Sequence, residues 1–205
     1  LVAAVMGNVS KSWNSPAQER DFYYLKGVLE ALLKGLEISK YRFETASEEP
    51  GYHPGHTANL IINGQNVGVL GEVHPKVLDN YEIPERVVAF ELDLEVLFRF
   101  AGNISTYIPL PKYPGIERDL AVIVPDNLPV DNILRIIYKS GGELLDQAKL
   151  FDVYRGKQVK EGYQSLAFAL KFQAKDRTLT DAEVEKSISA ITSRLEKDAG
   201  AELRS

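Results

Sequence analysis

The sequence predicts an α+β protein in two parts, a mostly antiparallel sheet with helices followed by a smaller βαββαβ domain. Helical spacing of apolar residues alternates along the chain with short strand-like runs. Asn63-Gly64 joins two of those runs, and this pair favours a tight hairpin because both residues accept positive φ. Residues 101–117 are rich in proline and glycine and interrupt every periodicity. We therefore expect domains over residues 1–106 and 107–205.

The first part contains one long helix, one short helix and four strands. Ser15-Pro16 predicts the start of the long helix, since serine suits the N-cap and proline the first helical position. Apolar residues at helical spacing then run from Phe22 to Leu36. His74-Pro75 predicts a short helix towards Tyr81. The predicted strands are Tyr41–Ala46, Ala58–Ile62, Val67–Val73 and Val87–Leu94.

The second part has four strands and two helices. Thr180 and Glu183 have capping-box spacing, and Gly142 and Gly200 predict helix ends. The predicted elements are the strand Arg118–Val124, the helix Val130–Ser140, the strands Leu144–Tyr154 and Tyr163–Phe172, a helix after Thr180, and the strand Ala201–Arg204. This order is the split ferredoxin-like arrangement, in which two helices cover one sheet face and leave the other open.

Composition limits the class of protein. The chain of 205 residues is 44% hydrophobic and 26% charged, as in ordinary globular proteins. We find no apolar run near the roughly 18 residues of a membrane span and no signal-peptide pattern. Without cysteine, a disulfide framework or thiolate metal site is impossible. Because the chain begins inside an apolar run, we expect a fragment of a longer protein, truncated at its N-terminus.

Strand alternation predicts an open sheet face of small residues. Leu166, Phe168, Leu170 and Phe172 point to one side of their strand, and Ser165, Ala167, Ala169 and Lys171 point to the other. On the preceding strand, Phe151 and Val153 are expected under the helices, with Asp152 and Tyr154 on the open side. Small residues beside a tyrosine allow a nucleobase to stack, as on ferredoxin-like sheets that bind single-stranded RNA. The alternative is a face covered by a neighbouring domain.

Charge supports a small polyanion-binding surface. Residues 149–177 hold seven basic and three acidic side chains, in a chain of net charge −5. This pattern fits a local footprint better than duplex DNA, although a solvated hairpin is the simpler alternative. The predicted tRNA-binding residues are Tyr154, Ser165, Ala167 and Ala169 as a stacking platform, with Lys149, Arg155, Lys157, Lys171 and Arg177 on phosphates or base edges. For Arg177, a salt bridge with Asp176 or Asp152 is an equal alternative.

Two other groups of residues are weaker candidates. His53, His56 and His74, near Glu72, have residue types that zinc or a hydrolase could use, but the intervening Pro54-Gly55 excludes a regular helix there. Glu91, Asp93 and Glu95 alternate on a predicted strand and could do acid–base chemistry, although a solvated or subunit-facing edge is favoured. The sequence contains neither of the glycine-rich motifs that bind nucleotide phosphates, G-x-x-x-x-G-K-[ST] and G-x-G-x-x-G. We predict no metal site and no catalytic residue in this chain.

Several motifs resemble one family. They are Pro114 with Arg118-Asp119, Phe151-Asp152-x-Tyr154, Ser165-Leu166-Ala167 and Asp176-Arg177-Thr178-Leu179-Thr180. As a set they resemble the ferredoxin-fold anticodon-binding domain at the C-terminus of the bacterial phenylalanyl-tRNA synthetase β chain. The runs DFYYLKGVLEALL, HPGHTANLIINGQNVGVLGEVHP and VVAFELDLEVL resemble the preceding catalytic-like module of that chain, which has a class II synthetase-like fold without the active site.

The resemblance implies a cytoplasmic heterotetramer of two α and two β chains that joins phenylalanine to tRNA-Phe with ATP and Mg²⁺. The implied partners are the α subunit, a second β chain and tRNA-Phe, with neither DNA nor membrane. Adenylate chemistry belongs to α, so we expect no cofactor in this fragment, and FELDLEVL lacks the arginine run that class II enzymes use for ATP. The alternative function is a ferredoxin-like regulatory or small-molecule-binding module with a dimerisation domain.

Overall fold

The computed structural model describes residues 1–102, 110–156 and 159–204. The chain divides into two compact units, residues 1–107 and 108–205. The boundary expected near residue 106 falls outside the described residues and stays a prediction. None of the described helices is long and apolar enough to cross a bilayer.

The first unit is built on a five-stranded antiparallel sheet. In chain order its elements are β1 (Val2–Met6), β2 (Asn8–Val9), β3 (Gln18–Glu19), α1 (Phe22–Gly35), β4 (Tyr41–Thr45), β5 (Tyr52–Ile62), β6 (Gln65–Val73), α2 (Pro75–Asn80), β7 (Val87–Leu92) and α3 (Leu94–Phe100). The strand order is β1-β7-β6-β5-β4, and β2 pairs with β3 in a separate hairpin. The Asn63-Gly64 turn is confirmed, with φ of 50° and 83°, the positive pair that a type I′ hairpin needs.

Helix α1 packs on this sheet through Leu25, Leu29 and Leu33, which lie one turn apart on one face and are fully buried. The predicted start at Ser15-Pro16 is wrong. The helix begins at Phe22, and Asp21 is its N-cap, whose carboxylate accepts a hydrogen bond from the Tyr24 amide at 2.8 Å. Both sites have N-cap residue types, and the helix forms only where its apolar face can be buried.

The predicted strand Val87–Leu94 ends early. Asp93 Oδ1 accepts hydrogen bonds from the amides of Glu95 and Val96 at 2.9 and 3.1 Å, and this cap starts α3. Glu91 is in β7, three residues before the helix begins at Leu94, whereas Glu95 is on the helix. The expectation that Glu91, Asp93 and Glu95 share one side of a strand is therefore wrong.

The second unit has the predicted βαββαβ order. Its elements are β8 (Ile116–Pro125), α4 (Val130–Gly141), β9 (Leu145–Tyr154), β10 (Tyr163–Phe172), α5 (Asp181–Ala199) and β11 (Glu202–Leu203). The antiparallel sheet has the order β11-β8-β10-β9, and both helices contribute to a single core. On β10, Leu166, Phe168, Leu170 and Phe172 are fully buried in that core. On β8, Leu120, Val122 and Val124 are the buried set.

A β-bulge in β9 changes the predicted faces. Ala167 pairs with Asp152, whereas its neighbour Phe168 pairs with Leu150, so Phe151 is an extra residue in the ladder. The expectation that Phe151 packs under the helices is wrong, because its side chain is 54% exposed. The bulge also brings Lys149 opposite Ala169 and thus onto the open face.

The predicted capping box forms at the start of α5. The Thr180 amide and hydroxyl donate to the Glu183 carboxylate at 3.0 and 2.9 Å. Arg177 adds an ion pair with the same carboxylate at 2.7 Å. The Thr180 hydrogen bonds, with Arg177, lower the pKa of Glu183 below its ordinary value.

Glu183→Gln is expected to lower the Tm of the second unit at neutral pH. A carboxyl whose pKa is lower in the folded state stabilises the fold above its unfolded pKa of about 4.3, and that contribution disappears as the pH falls through the folded pKa. The Tm difference from the unmodified chain should therefore be present at pH 7 and shrink progressively as the pH is lowered below the unfolded pKa, in thermal unfolding followed by circular dichroism. Glu185→Gln, at an exposed position of the same helix, is the control. Equal Tm values at pH 7 would contradict the capping role.

Candidate nucleic-acid interface

The open face of the second sheet consists of side chains aligned by the register of three strands. One row is Ile123, Ser165 and Tyr154, the next is Ala121, Ala167 and Asp152, and the third is Asp119, Ala169 and Lys149. The central positions of the second and third rows carry only methyl groups. A planar ligand can therefore approach the backbone of β10 closely between the flanking strands.

Arg204 lies across one end of this face, and sequence analysis missed it. Its amide donates to the Ala121 carbonyl at 3.0 Å, which extends the pairing of β11 with β8. Its guanidinium carbon is 5.2 Å from the centroid of the Tyr154 ring, and Nη1 donates to Ser165 Oγ at 3.3 Å. The side chain thus reaches from the edge strand across the sheet to β9. Alternation along the predicted strand Ala201–Arg204 puts this arginine on the opposite side from Ala201. That pattern is the signal that could have found it.

Tyr154, Ser165 and Arg204 combine an aromatic ring, a hydroxyl and a planar cation at one place. Unstacked nucleobases stack on aromatic rings and on guanidinium planes. Asp152, one row away and exposed, adds an acceptor. Ser165 itself is only 3% exposed, so its hydroxyl supports Arg204 and offers no stacking surface.

The other platform and cationic residues divide between several places. Ala167 and Ala169 are partly exposed on the open face, with Lys149 exposed beside Ala169. Lys171 is on the same face further along β10, where its ammonium forms an ion pair with Asp146 at 3.2 Å. The structure therefore groups Tyr154, Ala167, Ala169 and Lys149 as one continuous surface.

Arg155 and Arg177 are not part of this surface. Arg155 donates to Gln164 Oε1 at 3.1 and 2.8 Å, and Gln164 pairs with the buried Val124 on the helix side of the sheet. Arg177 comes after Phe172, the last residue of β10. That end of the strand is about 23 Å from Ser165. Its partner is Glu183 rather than either aspartate considered from the sequence. Lys157 lies outside the described residues.

The first unit contains an acidic cleft of about 570 Å³. Its lining is Leu1, Val2, Glu49, Asn59, Asn66, Val67, Gly68, Val69, Glu91, Leu92 and Asp93, which includes three carboxylates and no basic side chain. The Tyr52 hydroxyl donates to Glu91 at 3.0 Å, and burial together with this carboxylate raises the pKa of Tyr52 far above its ordinary value. Such a surface repels a triphosphate, so these residues do not fit ATP.

The three histidines do come together, but Nδ1 of His53 and Nδ1 of His74 serve local turns, and Nδ1 of His56 lies 2.8 Å from Glu72 Oε2. The rings of His53 and His56 are stacked 4.7 Å apart, and His74 is 6.4 Å from His53. Nδ1 of His53 accepts from the Gly55 amide, and Nδ1 of His74 accepts from the Lys76 amide, both at 3.1 Å. Within residues 1–102, 110–156 and 159–204, no group of three or more potential ligands could hold a metal ion.

Comparison with known proteins gives concordant results for both units. The family model described as the phenylalanyl tRNA synthetase beta chain CLM domain matches residues 1–94, and the ferredoxin-fold anticodon binding domain matches residues 111–204. A phenylalanine–tRNA ligase beta subunit of Moorella thermoacetica is 46% identical over 204 residues, covering all of this chain and 25% of that protein. The corresponding subunit of Clostridium tetani is 47% identical over 91% of this chain and 24% of its own length. The chain thus spans about a quarter of the length of these curated relatives.

Proposed function

Because the chain belongs to the phenylalanyl-tRNA synthetase β-chain family, we propose that it serves in the β subunit of a phenylalanine–tRNA ligase, where it binds the anticodon region of tRNA-Phe. Residues 107–205 are the anticodon-binding domain in this proposal, and residues 1–106 are a non-catalytic module that contacts the α subunit. The regulatory alternative is not favoured, since the second unit matches an anticodon-binding domain.

The observation that supports RNA binding best is the contact of Arg204 with Tyr154 and Ser165 at the edge of an alanine-lined face. A single-stranded base would stack beside Tyr154 over Ala167 and Ala169, with Arg204 and Lys149 near its phosphates. Stacking of this kind contributes about 1–3 kcal/mol per base. Asp152 would accept a hydrogen bond from a base edge, which gives the site a means of selecting among bases.

The ligase as a whole would use ATP and Mg²⁺ on the α subunit, in a cytoplasmic assembly of two α and two β chains. This chain's residues would contribute to that reaction by holding the tRNA. The acidic cleft of the first unit supports a non-catalytic role, because its described lining has three carboxylates and no basic side chain.

The test is a titration of the full-length β subunit in complex with α, using a tRNA-Phe anticodon stem-loop and a loop-scrambled control. Preferential binding of the true loop, weakened when Arg204 is replaced by alanine, is expected. Equal, salt-sensitive binding of both RNAs would leave only a cationic patch. No binding by an otherwise active complex would contradict an anticodon role for this face.

Lys149→Gln is expected to reduce the salt dependence of this binding. A lysine that neutralises one phosphate of a single strand contributes about 0.7 to the slope of log K against log salt concentration. The measurement is the stem-loop affinity at several salt concentrations, and the slope should become shallower by about 0.7. Arg155→Gln is the matched control, because its guanidinium is held by Gln164 on the helix side. A larger change for Arg155 than for Lys149 would contradict the assigned faces.

A further inference from the structure

Gly156, just after β9, lies against the ring of Tyr154. A Cβ atom at Gly156 would be 2.5 Å from the Tyr154 hydroxyl oxygen, 2.7 Å from Cζ and 3.3 Å from Cε1. Non-bonded carbon atoms in contact are about 3.5–4.0 Å apart, so no larger residue fits while the ring keeps its position. The φ of Gly156 is outside the left-handed region, in contrast to those of Gly142, Gly162 and Gly200. Glycine is therefore required here by space and not by backbone conformation.

Arg204 limits the same ring from another strand. Its guanidinium carbon lies over the Tyr154 ring, 5.2 Å from the centroid, and Nη1 donates to Ser165 Oγ at 3.3 Å. The Arg204 amide is held by the Ala121 carbonyl at 3.0 Å. The backbone of Gly156 thus contacts the hydroxyl end of the ring, and a side chain held by two other strands lies over it. Together these contacts restrict the rotation of the ring about its side-chain torsions.

The backbone at Gly156 is itself held in place. The preceding Arg155 guanidinium donates to Gln164 Oε1 at 3.1 and 2.8 Å, and Gln164 is only 4% exposed. The Gly156 carbonyl accepts a hydrogen bond from the Val159 amide at 2.9 Å, which closes a turn. The backbone therefore cannot move away from the Tyr154 ring without disturbing these hydrogen bonds, and a side chain at Gly156 would displace the ring instead.

The orientation of this ring matters for base stacking. Stacked rings are offset and nearly parallel, and a binding group has to be held within about 0.5 Å and 10–20° of its productive geometry. To make room for a Cβ at Gly156, the hydroxyl end of the Tyr154 ring would have to move by about 1 Å. A ring that is already fixed in the free protein also loses less conformational entropy when a base stacks on it.

We propose that Gly156 is a positioning residue for anticodon binding, because its lack of a side chain lets the turn hold the Tyr154 ring at the angle at which an unpaired base stacks. This inference depends on the proposed function, since it gives a contact within the protein a role in RNA binding. Gly156 acts through Tyr154 and not by touching the RNA. The site thus includes a residue that neither charge nor strand alternation identifies.

The test is the affinity of full-length β, in complex with α, for the tRNA-Phe anticodon stem-loop when Gly156 is replaced by alanine. We expect the Kd to rise about 5-fold or more, but by less than for Tyr154→Ala, because the ring is tilted rather than removed. The Tm should equal that of the unmodified subunit, since Gly156 is exposed. Gly27→Ala is the matched control and should leave the Kd unchanged, because a Cβ at Gly27 meets no described atom within 4 Å.

The decisive measurement is Gly156→Ala in a subunit that already carries Tyr154→Ala. Without the ring, the added methyl group has nothing to displace, so no further change in Kd is expected. An equal loss in both backgrounds would overturn the proposal, because the substitution would then disturb the turn as a whole or a direct contact with RNA.

An unchanged Kd for Gly156→Ala, with binding still weakened by Tyr154→Ala, would overturn the proposal as well. Failure of the unmodified complex to prefer the true loop over the scrambled loop would instead overturn the proposed function. The unmodified complex, measured beside the variants, distinguishes these two failures.

Discussion

Phe168→Ala is expected to remove about 3–5 kcal/mol from the free energy of unfolding of the second unit. Phe168 lies in the middle of the central strand β10, pairs with Leu120 and Leu150, and is fully buried. Alanine would leave a cavity that the sheet and the two helices can fill only in part, because both sides of the core are fixed by strand pairing and helix packing. The measurement is urea unfolding of the chain followed by a probe of the second unit.

The matched control is Phe151→Ala on the neighbouring strand. Regular alternation would place Phe151 in the core and predict a comparable loss, whereas the bulge leaves this ring 54% exposed. We therefore expect a loss of about 1 kcal/mol or less for this variant. Similar losses for the two phenylalanines would contradict the bulge and restore regular alternation in β9.

The comparison of these two rings shows which part of the fold could be predicted from sequence. The element order of the second unit, the buried side of β10 and the Thr180–Glu183 cap depend on local periodicity and capping chemistry, and all are confirmed. The bulge at Phe151 depends on how β9 pairs with β10. No residue type in FDVY marks it, since neither glycine nor proline is present.

The candidate site, too, was predicted only where its residues depend on the local pattern of one strand. Alternation along β10 was sufficient to put Ala167 and Ala169 on the open face. Arg204 was missed because alternation along its own strand gives only its face, whereas its contact with Tyr154 depends on a long side chain that crosses the sheet from one edge towards the other. Arg155 was predicted to bind tRNA on charge alone, and charge does not tell which side of a strand a cation takes; its guanidinium is bonded to Gln164 on the helix side.

The first unit shows the limit of capping signals. Ser15-Pro16 and Asp21 are both good N-caps by residue type, but only Asp21 directly precedes the residues that the sheet buries. Ser15 instead pairs with Ser12 in the turn between β2 and β3. Local preference allows either start, and tertiary packing selects Asp21 rather than the predicted Ser15-Pro16.

Tyr154→Ala is expected to weaken binding of the tRNA-Phe anticodon stem-loop by about 1–3 kcal/mol, or roughly 5- to 150-fold. The ring supplies the stacking surface of the open face and also faces the Arg204 guanidinium at 5.2 Å. Removing it takes away both the base-stacking contact and the contact that orients the arginine. The measurement is the stem-loop titration described above, at one fixed salt concentration.

Tyr154→Ala and Arg204→Ala should not be additive, because each side chain positions the other. The double variant is expected to lose less affinity than the two single losses combined, whereas Tyr154→Ala combined with Lys149→Gln should be close to additive. Tyr81→Ala, an exposed tyrosine of the first unit, should bind the stem-loop as the unmodified subunit does. Unchanged affinity for Tyr154→Ala would remove this ring from the interface, and strict additivity with Arg204 would mean that the two side chains act at separate places on the RNA.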